Sequence, residues 1–230
     1  MPGFAFPSPR ACAKQGAEQL FRNQTTMAIR VHRGDLPNLS NYGREVAIDT
    51  ETMGLDPHRD RLCVVQLSPG DGSADVVQIP QDASSAPNLV KLLGDPGVTK
   101  IFHYARFDVA VLQHRFGVVT GPVYCTKIAS RLVRTYTDRH GLKDLVRELL
   151  NVDMSKQQQS SDWGHEKLTD AQLDYAASDV LYLHDLKRHL DRMLARENRT
   201  ELAAACFDFL KTRCALDLLG WDETDIFAHS

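Results

Sequence analysis

The chain has 230 residues, a formal net charge of −3, 25% charged and 43% hydrophobic residues. That length and balance suit one large domain, or one domain with an appendage, carrying enough apolar material for a core without staples. The mild acidity speaks against a chain held to long nucleic acid by bulk positive charge, and no apolar run reaches the roughly 18 residues of a membrane span. Cys12, Cys63, Cys125, Cys206 and Cys214 are scattered and form no C-x-x-C pair, which argues against a disulfide framework or zinc site and for a reducing, cytoplasmic setting.

Residues 1–26 differ from the rest, with three prolines and no sustained apolar periodicity. They read as a disordered extension or as the product of a start codon upstream of Met27, with an organelle transit peptide as a third reading. Residues 27–230 read as one domain. Arg44–Asp49 is expected to be a buried strand ending in acid, followed by strands over Leu62–Leu67 and Asp75–Ile79, with the turn signal Pro69-Gly70-Asp71-Gly72 between the last two. Their short connections suggest an antiparallel meander. A short helix over Asn88–Leu93 closes at Gly94, a strand covers Lys100–His103, and a helix runs from Arg106 to Phe116 and ends at Gly117. A strand at Val123–Cys125 precedes helices over 126–135, 141–150, 169–195 and 199–211. A meander followed by alternating β and α elements predicts an α/β fold, a mixed sheet flanked by helices.

Three acidic signals fall in this framework. Asp49 and Glu51, at i and i+2 of a strand, share a face, where two adjacent carboxylates are unfavourable unless a cation lies between them. Taken alone, Asp-x-Glu reads as a solvated acidic turn. Asp108, in His103-Tyr-Ala-Arg-Phe-Asp, lies at the start of a helix, where taken alone it complements the macrodipole. Tyr175 and Asp179 are at i and i+4 and share a helix face, which alone is an ordinary surface contact. Together, four carboxylates form a hard oxygen donor set suited to Mg2+ or Mn2+. Two such ions about 3.5–4 Å apart are the arrangement for in-line displacement at phosphorus. A tyrosine one turn from the fourth carboxylate can hydrogen-bond the attacking water.

The order Asp-Thr-Glu, His-Tyr-Ala-Arg-Phe-Asp, Tyr-Ala-Ala-Ser-Asp resembles the exonuclease motifs of the DEDD superfamily, tyrosine subgroup. Ser161-Asp162-Trp163 followed by Leu168-Thr169-x-x-Gln172-Leu173-x-Tyr175 is similar to its ribonuclease D-like branch. The stretches TYTDRHGLK, SKQQQSSDW and the ending DLLGWxExDIFAHS resemble the nanoRNase C type of short-oligonucleotide exoribonuclease, over nearly all of the chain beyond residue 26. The resemblance implies a ribonuclease H-like, DEDD exonuclease fold and metal ligands Asp49, Glu51, Asp108 and Asp179 holding two divalent ions, Mg2+ or Mn2+. It implies that Tyr175 orients the nucleophilic water or assists its deprotonation; an ordinary tyrosine pKa near 10 makes a weak base, which favours orientation. It also implies a symmetric, octameric homo-oligomer. One position departs from the pattern: Tyr104 stands where the second motif often has Asn.

Substrate contacts are read more loosely. Gly54 permits close backbone approach, so the backbone around Thr52 and Gly54 is a candidate for meeting the terminal nucleotide, with His103 a further candidate. Leu55 or Met53 could wedge against a base; the alternative for Leu55 is a core position. Lys127, Arg131 and Arg134, at i, i+4 and i+7, with Arg139, His140 and Lys143, form the most basic region and a candidate phosphate surface, or a solvated helix face. Lys156 and Gln157-Gln158-Gln159 form a polar loop that contacts phosphate or sugar, or merely connects. Trp163 is expected to be a packing anchor. The tail residues Leu218, Leu219, Trp221, Ile226 and Phe227 have little core of their own and are expected to dock on the domain or on a neighbour.

The expected function is therefore metal-dependent 3′-5′ exoribonuclease action on short RNA, dinucleotides included, releasing nucleoside 5′-monophosphates, with no membrane partner. The rivals are a broader exonuclease that trims structured RNA or degrades DNA, a non-catalytic nucleic-acid-binding module, from which loss of an acid would be expected, and a phosphoesterase of small metabolites.

Overall fold

The computed structural model describes residues 28–82, 85–155 and 157–229. The N-terminal segment read as an extension, and Lys156, lie outside these. Six strands, β1 (Ala28–Arg33), β2 (Glu45–Thr52), β3 (Leu62–Ser68), β4 (Ser73–Gln78), β5 (Thr99–Phe102) and β6 (Val123–Cys125), form one sheet in the order β1-β4-β3-β2-β5-β6. β2, β3 and β4 are the expected antiparallel meander, while β5 and β6 add in parallel beside β2. The mixed sheet with flanking helices is thus the α/β architecture expected.

β1 was not expected. Its Ile-Arg-Val-His-Arg alternation is short, and it becomes a strand by pairing in parallel with β4. A buried carboxylate fixes the pairing: Asp75 on β4 accepts from Arg30 Nε at 2.7 Å and Tyr42 Oη at 2.7 Å, and contacts His32 Nε2 at 2.7 Å. Those partners hold the Asp75 pKa at about 2, against a burial that alone would raise it.

The helices are α1 (Pro87–Gly94), α2 (Ala105–Phe116), α3 (Thr126–Val133), α4 (Leu142–Leu150), α5 (Asp170–Leu181), α6 (Leu183–Arg196) and α7 (Thr200–Leu216), the last running into a π-helical turn over Asp217–Trp221. The helix expected over 169–195 is two helices that meet at Tyr182, not one. No proline or glycine causes the bend. Tertiary packing does: α5 lies across β2, β3 and β4, whereas α6 turns to pack on α3 and α4. Glycine and asparagine close other helices as their left-handed conformation allows: Gly117 ends α2 at φ 67° and Asn151 ends α4 at φ 57°. No helix of the described residues is long and apolar enough to cross a membrane.

The period-2 alternation of strands divides the core between the sheet's two faces. Val46, Ile48, Val65 and Leu67 pack with α1, α2 and the end of α7. Ala47 packs with α3, α5 and α6 on the other face, where Val64 and Val76 meet Trp163 and Ala176. This division decides which acids can meet.

Candidate active site

Continuing the alternation along β2 puts Asp49 and Glu51 on the face covered by α5, and Thr50 on the face covered by α2. A register irregularity between Glu51 and Thr52 follows, the kind of bulge that re-aims side chains beside a site. On α5, Tyr175 and Asp179 are one turn apart. The start of α5 is set by a reciprocal cap: the Thr169 side chain accepts from Gln172 N, and the Gln172 side chain accepts from Thr169 N at 3.0 Å. Gln172 Nε2 also donates to Asp162 O at 3.1 Å, tying the preceding loop to the helix.

The result is a convergence of carboxylates. One oxygen each from Asp49, Glu51 and Asp179 lie within 4.8 Å of one another. Asp108 is not among these three. It is buried in the first turn of α2, on the other side of β2, and accepts from Thr50 Oγ1 at 2.7 Å. The sequence reading passed over Thr50 as a spacer; a hydroxyl alternating with two acids was the available signal.

The electrostatics follow from burial and like charge. Burial, then the neighbouring Asp108, Asp179 and Glu51, pushes Asp49 well up. Burial with Asp179 and Asp108 raises Glu51 to about 9. Burial brings Asp179 to about 7, with the Tyr175 hydroxyl pulling it back down. Asp108 is raised by burial to about 7 although its Thr50 hydrogen bond opposes this. Tyr175 is raised by burial and by Asp179, so it keeps its proton. Three half-buried carboxylates that repel one another, all hard oxygen donors, fit a divalent cation.

Around this centre the other expected residues separate. Thr52 Oγ1 donates to Gly54 O, within its own loop. Gly54 does serve a close approach, but the approaching group is Asp60, whose Oδ2 would lie 2.2 Å from an added Cβ. Leu55 is not a core residue: it is 83% exposed and lines a groove of about 580 Å3 with His58, Tyr104, Arg106, Leu218 and Asp222. His103 Nδ1 lies 2.9 Å from Thr126 Oγ1, and burial and Lys127 depress its pKa to about 3, so it is neutral. The Lys127 ammonium stands 4.2 Å from the Tyr104 ring centroid. Tyr104 itself adopts φ 67°, ψ 44°. Asn tolerates that left-handed backbone better than a bulky residue, which gives a physical reason for Asn at this position in related motifs.

Arg131 and Arg139 are exposed as expected, but Arg134 does not share their surface. α3 ends at Val133 and Arg134 leaves the helical path at φ −105°, ψ 59°. Its guanidinium, fully buried, donates to Ser130 Oγ at 3.0 Å, Arg139 O at 2.6 Å and the Glu148 carboxylate. Gln158 is tied into its own loop, its Oε1 accepting from Ser161 Oγ at 2.9 Å. Trp163 is the packing anchor expected, buried with its ring 6.0 Å from that of Tyr175. In the tail, Leu218 packs on the core, whereas Leu219 is 71% and Phe227 76% exposed, and Trp221 and Ile226 are exposed as well.

Residues 34–195 match the family model described as 3′-5′ exonuclease. The structure of Brucella melitensis NrnC with bound Mg2+ superposes with a TM-score of 0.86 at 65% identity, covering 89% of this chain and 100% of that one. The same protein bound to pGG gives 0.87 at 66% identity with the same coverage. Ribonuclease D of Granulibacter bethesdensis is 36% identical over 154 residues, 67% of this chain. The chain spans only 38% of the length of that relative. The residues matched by the family model include the strand and helices that carry Asp49, Glu51, Asp108 and Asp179, and the chain belongs to the 3′-5′ exonuclease family, in its ribonuclease D-like branch with NrnC.

Proposed function

We propose that this chain is a metal-dependent 3′-5′ exoribonuclease that hydrolyses short oligoribonucleotides, dinucleotides included, to nucleoside 5′-monophosphates. The convergence of Asp49, Glu51 and Asp179 within 4.8 Å carries the reading. The pGG bound to NrnC, a protein 66% identical, supports the short substrate. Asp49, Glu51 and Asp179 would hold Mg2+ or Mn2+, with Asp108 completing the set for a second ion once its carboxylate turns from Thr50. Bound divalent ions supply charge neutralisation at phosphorus and a lowered pKa for water. In the hydrolysis, a water oxygen attacks phosphorus and gives its proton to solvent, while the bond to the leaving 3′ oxygen breaks and that oxygen takes up a proton from solvent. Tyr175 holds its own proton, which supports a donor that orients the water, not a base. Leu55, exposed along the groove, would wedge against a base, and Lys127, Arg131 and Arg139 would offer cations to phosphate. Thr52, Gly54 and Gln158 serve by shaping their loops, and His103 offers a neutral imidazole near Lys127.

The exposed apolar side chains of the tail support a homo-oligomer, and the octamer of the nanoRNase C type is the form we propose. The free thiols of Cys63, Cys125, Cys206 and Cys214 suit a reducing cytoplasm. The test compares a 5′-labelled dinucleotide, a long RNA and duplex DNA with Mg2+ or Mn2+ supplied. Fastest turnover of the dinucleotide is expected. Equal or faster turnover of the long RNA or the DNA would replace this reading by a broader exonuclease, and no hydrolysis of any would leave a binding module.

A further inference from the structure

β3 is buried along its whole length, and its sequence, Leu62-Cys63-Val64-Val65-Gln66-Leu67-Ser68, is apolar until its last residue except at Gln66. Gln66 is 0% exposed. An amide there is a costly choice, because its Oε1 is buried without a hydrogen-bond partner, whereas methionine of similar volume would leave no polar group unsatisfied. The fold alone does not account for it. Its neighbour across the ladder does: Gln66 is paired in register with Asp49 on β2. Paired residues of an antiparallel ladder leave the same face with Cβ atoms about 5 Å apart, so the amide is delivered to the carboxylate. Gln66 Nε2 donates to Asp49 Oδ2 at 3.4 Å.

We propose that Gln66 is a positioning residue for the cation site, holding the Asp49 carboxylate in the orientation from which it converges with Glu51 and Asp179. The inference rests on reading that cluster as a divalent-ion site. The chemistry suits the task. A carboxylate among like charges is pushed to rotate away from them, and one hydrogen bond to a fixed amide opposes that rotation. An amide brings only a partial positive charge. A lysine or arginine at the same place would neutralise Asp49 and compete with the ion for it. The donor thus orients the ligand and leaves its full charge for the cation, as partners of ligating carboxylates do in general.

The test replaces Gln66 by methionine and, separately, by leucine in the full chain. Mn2+ binding is measured by calorimetry without substrate, and the melting temperature is measured without metal. Both variants are expected to bind Mn2+ about ten- to hundred-fold more weakly, with melting temperatures equal to or above that of the unsubstituted chain, because the unsatisfied oxygen is gone. A packing role predicts the reverse, a lower melting temperature with unchanged Mn2+ affinity. Unchanged affinity in either folded variant overturns the proposal and leaves the cation site standing. Failure of both variants to fold overturns it too, since the fold would then need this amide for itself. Absence of Mn2+ binding by the unsubstituted chain overturns the proposal together with the cation site.

Discussion

Replacing Arg134 by methionine distinguishes a cation that holds the fold from one that meets substrate. Methionine fills much of the hydrocarbon volume and none of the donor positions. Glu148, whose side chain is 42% exposed, regains water when its partner goes. Ser130 Oγ keeps His140 Nδ1 at 2.8 Å. The Arg139 carbonyl loses the 2.6 Å bond from Arg134. Removing one member of a fully buried ion pair costs about 3–5 kcal/mol; with the acid able to rehydrate, we expect about 2–3 kcal/mol. For a domain of this size that lowers Tm by about 5–10 °C. Thermal melts and urea titrations read the loss, and dinucleotide hydrolysis measured well below the melt is expected to keep its KM. Arg131→Gln is expected to do the opposite, raising KM several-fold with Tm unchanged. An Arg134→Met variant with raised KM and unaltered Tm would refute the reasoning and return Arg134 to the phosphate surface.

Asp179→Asn is expected to lower kcat by at least about 100-fold, more than loss of a supporting partner does, with the melting curve retained; unimpaired hydrolysis would remove Asp179 from the site. Gly54→Ala drives a methyl group into the Asp60 carboxylate, which is tied down by Asp56 N at 3.0 Å and by Arg59; a loss of about 1–3 kcal/mol is expected, with a raised KM, and steady-state kinetics beside thermal melts would check both. Mg2+ is expected to raise Tm more at pH 8.5 than at pH 6. Asp108 and Asp179 titrate at about 7 and Glu51 at about 9 in the metal-free fold, above the roughly 4 of unfolded carboxylates. Their protonation stabilises the metal-free fold at low pH, and that contribution is lost as pH rises through 7 to 9. An ion must displace protons from all three at pH 6, whereas at pH 8.5 Asp108 and Asp179 are already anions and the proton of Glu51 is the main one left to displace, so calorimetric scans showing a pH-independent gain would contradict these assignments.

The strand carrying Asp49 and Glu51 was legible because alternation is a local property: Val46 and Ile48 on one face force Ala47, Asp49 and Glu51 onto the other. The i, i+4 relation of Tyr175 and Asp179 was legible for the same reason. Arg134 was not, because counting by 3.6 assumes that the helix continues, and α3 stops one residue earlier. The division of 169–195 into two helices was equally hidden. Both halves carry their own apolar faces, and only the different surfaces beneath them, sheet under α5 and helices under α6, set the bend. Asp108 shows a subtler limit: its helix was read correctly, but its face of the sheet could not be known until α2 was seen on the side of Thr50. Leu55 was undecided between core and surface because a single leucine in a loop carries no periodicity at all.

The cap at the start of α5 has a consequence beyond helix stability. A helix advances 1.5 Å and turns about 100° per residue, so a one-residue slip of α5 over the sheet would swing Asp179 away from Asp49 and Glu51 altogether. Thr169 and Gln172 act as a rotational stop against that slip, and the bond from Gln172 to Asp162 anchors the stop to the loop before it. The phase of α5 is therefore set at its entrance, ten residues before the carboxylate it delivers.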